Sequence, residues 1–182
     1  MIKFKTTRFG EIELQEEELI TLPKGLIGFP ELKKFVLLDH DKESPFKWLQ
    51  STDDGAIAFV LLNPLLFKPD FTVEVSLPEV SDLELENEED AVISVIVTMP
   101  GKPENMTANL KAPLIFNLKN RMGKQIILND QNYTTRHNIM DEMKKYAASG
   151  DQEQLQEVID RAKNDASASE SEKNNKGSAG GK

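Results

Sequence analysis

Cysteine is absent from the 182-residue sequence, and Trp occurs once, Tyr twice and His twice. Without cysteine the chain has no disulfides, no thiolate metal ligands and no cysteine nucleophile. The two histidines, His40 and His137, are not accompanied by a G-x-S-x-G hydrolase motif. Because so little is left from which to build a site, we expect no catalytic, cofactor-binding or metal-binding residues, and therefore no enzyme.

Long apolar runs and a positive net charge are absent as well. The longest apolar run has the length of one strand, far short of a membrane span. The N-terminal sequence MIKFKTTRFGEIEL is charged and alternating, unlike a signal or transit peptide. The 22 Lys and Arg against 31 Asp and Glu give a net charge of −9, which repels phosphate backbones. We expect a cytoplasmic globular protein that binds no membrane and no nucleic acid directly.

One tripeptide, Asp39-His40-Asp41, carries residue types that bind metals or transfer protons. A metal or acid–base site needs further ligands that converge on it from elsewhere in the chain. We therefore interpret the tripeptide as a polar loop that follows the apolar segment 35–38.

Alternating and uniformly apolar segments dominate the first three quarters of the chain. Residues 71–75 and 83–86 alternate between apolar and polar side chains, which is typical of half-buried strands. Uniformly apolar segments, typical of strands covered on both faces, lie at residues 35–38, 56–62, 91–97 and 113–118. Turn residues separate these segments, and residues 119–124 have the form of a hairpin connection. The pattern predicts an all-β fold of roughly ten short strands, an antiparallel β-barrel or sandwich.

The composition changes near residue 138, where β-branched residues give way to Met, Glu, Lys, Gln and Ala. Asn138 is a good cap for a helix over residues 139–148. A second helix is indicated by apolar residues at helical spacing, namely Leu155, Val158, Ile159 and Ala162. From Asp165 onward no apolar side chain is larger than Ala. We predict a β domain over 1–137, a helical extension over 138–164 and a disordered tail over 165–182.

Acidic residues cluster in two places. The denser run holds Asp82, Glu84, Glu86, Glu88, Glu89 and Asp90, and the other holds Glu16, Glu17 and Glu18. A solvated loop explains such runs, and so does an acidic face that steers a basic protein partner or repels its nucleic acid. If residues 83–86 form a strand, Glu84 and Glu86 share one of its faces.

Two other functions are compatible with a β fold. A carbohydrate-binding or carbohydrate-processing β-sandwich would use paired carboxylates in an aromatic cleft, but the chain has few aromatic residues for sugar stacking. A nucleic-acid-binding barrel of the OB type is disfavoured by the negative charge and by the lack of aromatic residues flanked by bases. The carbohydrate hypothesis is the stronger alternative.

Short motifs follow one another along residues 1–140. They are GLIGFP at 25–30, FVLLD at 35–39, LQS at 49–51, AFV at 58–60, NP at 63–64, TANLKAPLI at 107–115, GKQIIL at 123–128 and YTTRH at 133–137. Taken together, these motifs resemble the FliW family of flagellar assembly factors, which are bacterial cytoplasmic proteins. The segment after residue 140 has no counterpart in the usual family pattern.

The resemblance implies a non-enzymatic regulator. Proteins similar to FliW bind CsrA, a dimeric RNA-binding repressor of translation, and bind flagellin, so that flagellin translation is coupled to flagellum assembly. Candidate partner-binding residues are those at loop positions, where core packing is the weaker explanation, together with the acidic run. They are Phe29, Asn63, Pro64, Phe67, Lys68, Glu84, Glu86, Glu88 and Glu89.

Overall fold

A computed structural model describes residues 1–39, 41–147 and 160. The strands of this part are β1 Ile2–Thr6, β2 Gly10–Leu14, β3 Ile20–Thr21, β4 Lys34–Asp39, β5 Lys47–Ser51, β6 Ala58–Leu62, β7 Ala91–Thr98, β8 Thr107–Ala108, β9 Leu114–Asn117, β10 Met122–Gln125 and β11 His137–Asn138. The α-helices are α1 Leu77–Val80 and α2 Ile139–Ala147. The predicted second helix, the tail over 165–182 and His40 lie outside the described residues, except that Asp160 is helical.

Seven strands close into a barrel in the order β7-β6-β5-β4-β3-β10-β9, and β9 returns to β7. All neighbours are antiparallel except β3 and β10, which pair in parallel at Thr21 and Met122. The predicted hairpin over 119–124 joins β9 to β10, with Asn117 opposite Met122. The prediction of an all-β barrel is therefore confirmed.

Strand β7 closes the barrel because it is long enough to pair with two strands in succession. Its first half, Ala91–Ser94, pairs with β9, and its second half pairs with β6 through Val95–Val97. Strands β8 and β11 continue the sheet beyond β7, outside the closed ring. The β-branched sequence AVISVIVT favours this extended conformation over its whole length.

The sheet separates two hydrophobic cores. One contains apolar residues of β3, β4, β5, β6, β7 and β9, among them Phe35, Leu49 and Phe116, and so fills the barrel interior. The second lies against the outer surface, where Phe67, Leu83, Tyr133, Ile139 and Met143 pack on residues of β6, β7 and β9. We refer to these as the interior core and the exterior core.

Strands β1 and β2 form a separate two-stranded hairpin. The peptide N–H of Thr7 donates to the Gly55 carbonyl over 2.9 Å, and the ring of Phe9 meets Trp48 edge to face at 5.7 Å. The Arg8 guanidinium lies 4.2 Å from the centre of the Trp48 ring. An isolated hairpin is marginally stable, so these contacts fasten it to the barrel.

Two segments predicted as strands have other conformations. Residues 71–75 alternate as predicted between exposed side chains and side chains that are buried or half-buried, but they belong to no sheet. Leu83 ends a 3₁₀ turn, Ser81–Leu83, and Glu84 follows in the left-handed region with φ of 52°. The expectation that Glu84 and Glu86 share a strand face was therefore wrong.

Helix α2 begins at the predicted residue and belongs to the exterior core. The Asn138 Oδ1 atom accepts from the Asp141 N–H over 2.9 Å, which is the predicted cap. Ile139 and Met143 are buried against the barrel. Asn138 is also part of β11, so the strand and the helix are continuous. Within the described residues, no helix is long and apolar enough to cross a bilayer.

Candidate protein-interaction surface

The loop after β6 contains four of the nine candidate residues, and each of the four has a role within the fold. Asn63 Oδ1 accepts from the Leu65 N–H over 3.0 Å and so caps the 3₁₀ turn Pro64–Leu66. Pro64 is buried as the first residue of that turn. Phe67 is 0% exposed in the exterior core. Pro64 and Phe67 therefore present no side-chain surface to a partner, contrary to expectation.

Lys68, the fourth candidate in this loop, connects the loop to helix α2. Its side chain is 13% exposed, and its ammonium lies 2.9 Å from Asp70 Oδ1 and 3.0 Å from Glu142 Oε1. Burial alone would lower the pKa of Lys68, but the hydrogen bonds to the two carboxylates raise it above its usual value. Lys68 thus holds the loop after β6 against helix α2.

Glu142 is the centre of this network although its side chain is only 3% exposed. Its carboxylate meets His137 Nε2 at 2.7 Å, Lys68 at 3.0 Å and Lys145 at 3.3 Å. Burial raises the pKa of Glu142, yet these bonds outweigh burial and hold the pKa below its usual value. The charges compensate one another, so the network fixes α2 on the barrel. Within the described residues no three His, Cys, Asp or Glu side chains are placed to hold a metal ion.

Phe29 lies in the tight loop that joins β3 to β4. Its half-buried ring packs edge to face on Phe59 at 5.4 Å, at the margin of the interior core. Ile27, at the tip of the same loop, is exposed, and its N–H donates to Gln125 Oε1 over 2.8 Å. Ile27 is therefore the more accessible apolar side chain here, and the sequence analysis missed it.

The acidic run 82–90 crosses the outside of the barrel in short turns. Asp82 pairs with Lys124 at 3.1 Å, and Lys119 lies 2.7 Å from Glu86 and 3.0 Å from Asp90. The hydrogen bond from Lys119 holds the pKa of Asp90 below its usual value. Within the described residues, three exposed acids of this run have no ion pair, namely Glu84, Glu88 and Glu89.

The second acidic cluster lies beside the same hairpin. Glu16–Glu18 form a 3₁₀ turn that lines a shallow hollow of about 770 Å³ together with Lys119, Asn120 and Arg121 of the β9–β10 turn. Since Lys119 also reaches the acidic run, the two clusters flank one hairpin. We call the set formed by Glu16–Glu18, Glu84, Glu88 and Glu89 the acidic face.

An apolar groove of about 340 Å³ opens at one end of the barrel. Its walls come from β4, β6, β7 and β9, and they include Val92, which is 38% exposed, and Leu118, which is 55% exposed. Asn63 and Arg121 lie at its margin. No local pattern in the sequence indicates the groove, because its residues come from six separate segments of the chain.

Comparison with known proteins gives this surface a family context. Residues 3–139 match the family model described as FliW protein. The chain belongs to the FliW family. A flagellar assembly factor FliW from Alkaliphilus metalliredigens (strain QYMF) is 44% identical over 149 residues, which is 81% of this chain and 92% of the relative.

Other FliW proteins are similar to this chain over the same part of its length. A flagellar assembly factor FliW from Leptospira biflexa serovar Patoc (strain Patoc 1 / Ames) is 38% identical over 148 residues, covering 81% of this chain and 97% of the relative. A crystal structure of the flagellar assembly factor FliW superposes with a TM-score of 0.70 at 36% identity, covering 75% of this chain and 96% of the other. The match to FliW therefore includes the barrel and the first residue of α2.

Proposed function

We propose that this chain is a cytoplasmic, non-enzymatic flagellar assembly factor that binds flagellin and binds and antagonises CsrA. The single observation that carries the proposal is the FliW match over residues 3–139, at 36–44% identity to FliW proteins. The flagellin and CsrA interactions come from the family resemblance described above. The carbohydrate hypothesis has no observation of this kind in its favour.

The acidic face supplies a physical basis for the antagonism. Its exposed carboxylates have no ion pair within the described residues, and negative charge beside a bound RNA-binding protein disfavours the approach of RNA phosphates. Exposed charges act over only about 10 Å at 0.1 M salt. The acids must therefore lie close to the RNA path when CsrA is bound, and screening by salt must weaken their effect.

The experiment compares the full-length chain with a variant that carries Glu84→Gln, Glu88→Gln and Glu89→Gln. Immobilised protein is tested for capture of purified CsrA and purified flagellin, and then for displacement of a labelled RNA from CsrA. We expect capture of both partners by both proteins, and RNA displacement weakened about threefold to tenfold in the variant at low salt, since only the charge near the RNA path has changed.

The control variant carries Glu11→Gln, Glu31→Gln and Glu104→Gln, three exposed acids outside the acidic face. It changes the net charge by the same amount and should displace RNA as the unaltered chain does. Failure of the unaltered chain to capture either partner would contradict the proposed function. If both variants displace RNA from CsrA equally well, the proposed role of the acidic face is wrong, while the proposed binding of CsrA and flagellin stands.

A further inference from the structure

The first half of β7 has one edge without a partner strand. The Leu118 N–H donates to the Asp90 carbonyl, so in this antiparallel pair the even-numbered residues of β7 direct their peptide groups at β9. The odd-numbered residues direct theirs at the opposite edge, where β6 pairs only from Val95 onward. Ile93 thus directs its N–H and its C=O toward an edge where no strand of the described chain pairs with it.

Proline ends the β6 pairing at this point. The register that places Leu62 opposite Val95 places Pro64 opposite Ile93, and proline has no N–H to donate. The Pro64 carbonyl is directed elsewhere, because it accepts from Phe67 and Lys68 at 3.2 and 2.9 Å. The chain therefore leaves the ladder at Pro64, although the turn Pro64–Leu66 still contacts β7, and the sheet edge at Ile93 borders the apolar groove defined above.

The groove complements a particular kind of ligand. Its volume of about 340 Å³ accommodates a few side chains, and its exposed walls at Val92 and Leu118 are apolar. Lys47 at its margin is paired with Asp39 at 2.5 Å, whereas Arg121 has no ion pair within the described residues. A carboxylate on the ligand would compensate the Arg121 charge.

We propose that the groove binds an extended segment of a partner protein, which adds as a strand to the free edge of β7. The segment exchanges hydrogen bonds with the Ile93 N–H and C=O, places alternate apolar side chains in the groove and presents a carboxylate to Arg121. The groove adjoins the hollow beside Glu16–Glu18, with which it shares Arg121, but its apolar walls and the free edge of β7 make it a second docking site on the same molecule.

The test uses a set of synthetic eight-residue peptides with Val or Ile at alternate positions, Thr between them, and Asp or Lys at either end. Binding to full-length ¹⁵N-labelled protein is followed by NMR. We expect Asp-bearing members to slow the hydrogen exchange of the Ile93 amide at least tenfold and to leave the amides of β4 unaffected. Methylation of the alternate peptide nitrogens that face β7 should weaken binding at least about tenfold, because it removes the ladder hydrogen bonds.

Arg121→Gln should weaken the binding of Asp-bearing peptides about threefold to tenfold and leave the binding of Lys-bearing peptides unchanged. Arg136→Gln, an exposed arginine outside the groove, is the matched control and should change neither. Equal binding of methylated and unmethylated peptides would overturn strand addition. Failure of every peptide in the set to protect the Ile93 amide would overturn the site.

Two other occupants are separate outcomes, and each would overturn the partner proposal. If a second copy of the chain occupies the groove, the Ile93 amide is protected from hydrogen exchange without any peptide. This protection would increase with protein concentration, together with the fraction of dimer measured by sedimentation. The chain's own C-terminal segment would protect the Ile93 amide at every concentration. Because the chain has no cysteine, Gln156→Cys provides a single site for attaching a nitroxide spin label. Broadening of the Ile93 amide resonance by this label would identify the C-terminal segment as the occupant.

Discussion

Gly25 is the residue whose replacement the loop between β3 and β4 tolerates least. Its φ of 66° lies in the left-handed region, and a Cβ there would lie 2.5 Å from the Phe29 carbonyl oxygen and 2.8 Å from Pro30 Cα. Both neighbours are backbone atoms of the same loop, so neither can rotate away. Gly28 shares the positive φ, at 88°, but a Cβ there would meet nothing within 4 Å.

We predict that Gly25→Ala destabilises the protein more than Gly28→Ala. The second change adds only the left-handed strain of about 1–2 kcal/mol. The first adds the same strain and a backbone collision, and should cost at least about twice as much. Urea unfolding, followed by Trp48 fluorescence, gives both values. Equal losses would mean that the loop moves freely to relieve the collision.

The individual candidate residues show what sequence can and cannot reveal at this scale. Asn63-Pro64 was recognisable as a turn, because a capping side chain and a proline at the first turn position are local signals. Phe67 follows that turn and was expected to face a partner, yet it enters the exterior core. Its burial depends on residues such as Met143, far away in sequence, and no local pattern contains that information.

A buried carboxylate adds to the apolar contacts that attach helix α2 to the barrel. The nine residues of α2 within the described part of the chain are too few for stability alone, and the Glu142 network joins them to the loop after β6. The pKa of Glu142 is held below its ordinary value of 4.5. In the unfolded chain the carboxyl therefore takes up a proton at higher pH than in the folded protein. The Glu142 carboxylate therefore contributes fully to the stability of the protein when the pH is above the pKa of the carboxyl in the unfolded chain. This contribution is lost as the pH falls through the pKa in the folded protein.

We predict that Glu142→Gln destabilises the protein by roughly 3 kcal/mol at pH 7, because it leaves Lys68 without its buried partner. The difference from the unaltered chain should shrink as the pH falls below 4.5. Asp141→Asn removes an equal charge from the same helical turn but from an exposed position, so it controls for the helix dipole. A pH-independent difference, measured by urea unfolding from pH 3 to 7, would contradict this account.

Strand prediction was correct for the uniformly apolar segments and wrong for the alternating segments 71–75 and 83–86. Segments such as 91–97 must be covered on both faces, which only a central strand of the barrel provides. Residues 71–75 alternate because one side contacts the exterior core, although they lie in no sheet. Alternation reports one-sided burial of an extended chain, and it does not report whether a neighbouring strand is present.

At the scale of the whole molecule, the number and spacing of the strands predicted an all-β barrel or sandwich, but they did not decide between the two or show how the barrel closes. Antiparallel neighbours such as β4, β5 and β6 are consecutive in the chain and are joined by recognisable turns. The parallel pairing of β3 with β10, and the division of β7 between two neighbours, involve residues that are remote in sequence. The groove exists only because of that division.

We predict that a chain ending at Asn164 is as stable as the full-length protein. Residues 165–182 contain no apolar side chain larger than Ala, so they cannot offset the entropy of becoming ordered. The two melting temperatures should agree within about 1 °C. A decrease of several degrees would show that these residues pack on the folded protein.

The division of β7 between β6 and β9 has a consequence for the chain during its synthesis. The meander β3-β4-β5-β6-β7 is complete once Thr98 has emerged from the ribosome, but it then has two open sides, at β3 and at the first half of β7. Both sides are covered only when residues 114–125 supply β9 and β10. The nascent protein therefore passes through a stage with unpaired strands over an apolar surface, which is when it is most exposed to aggregation and to chaperone binding.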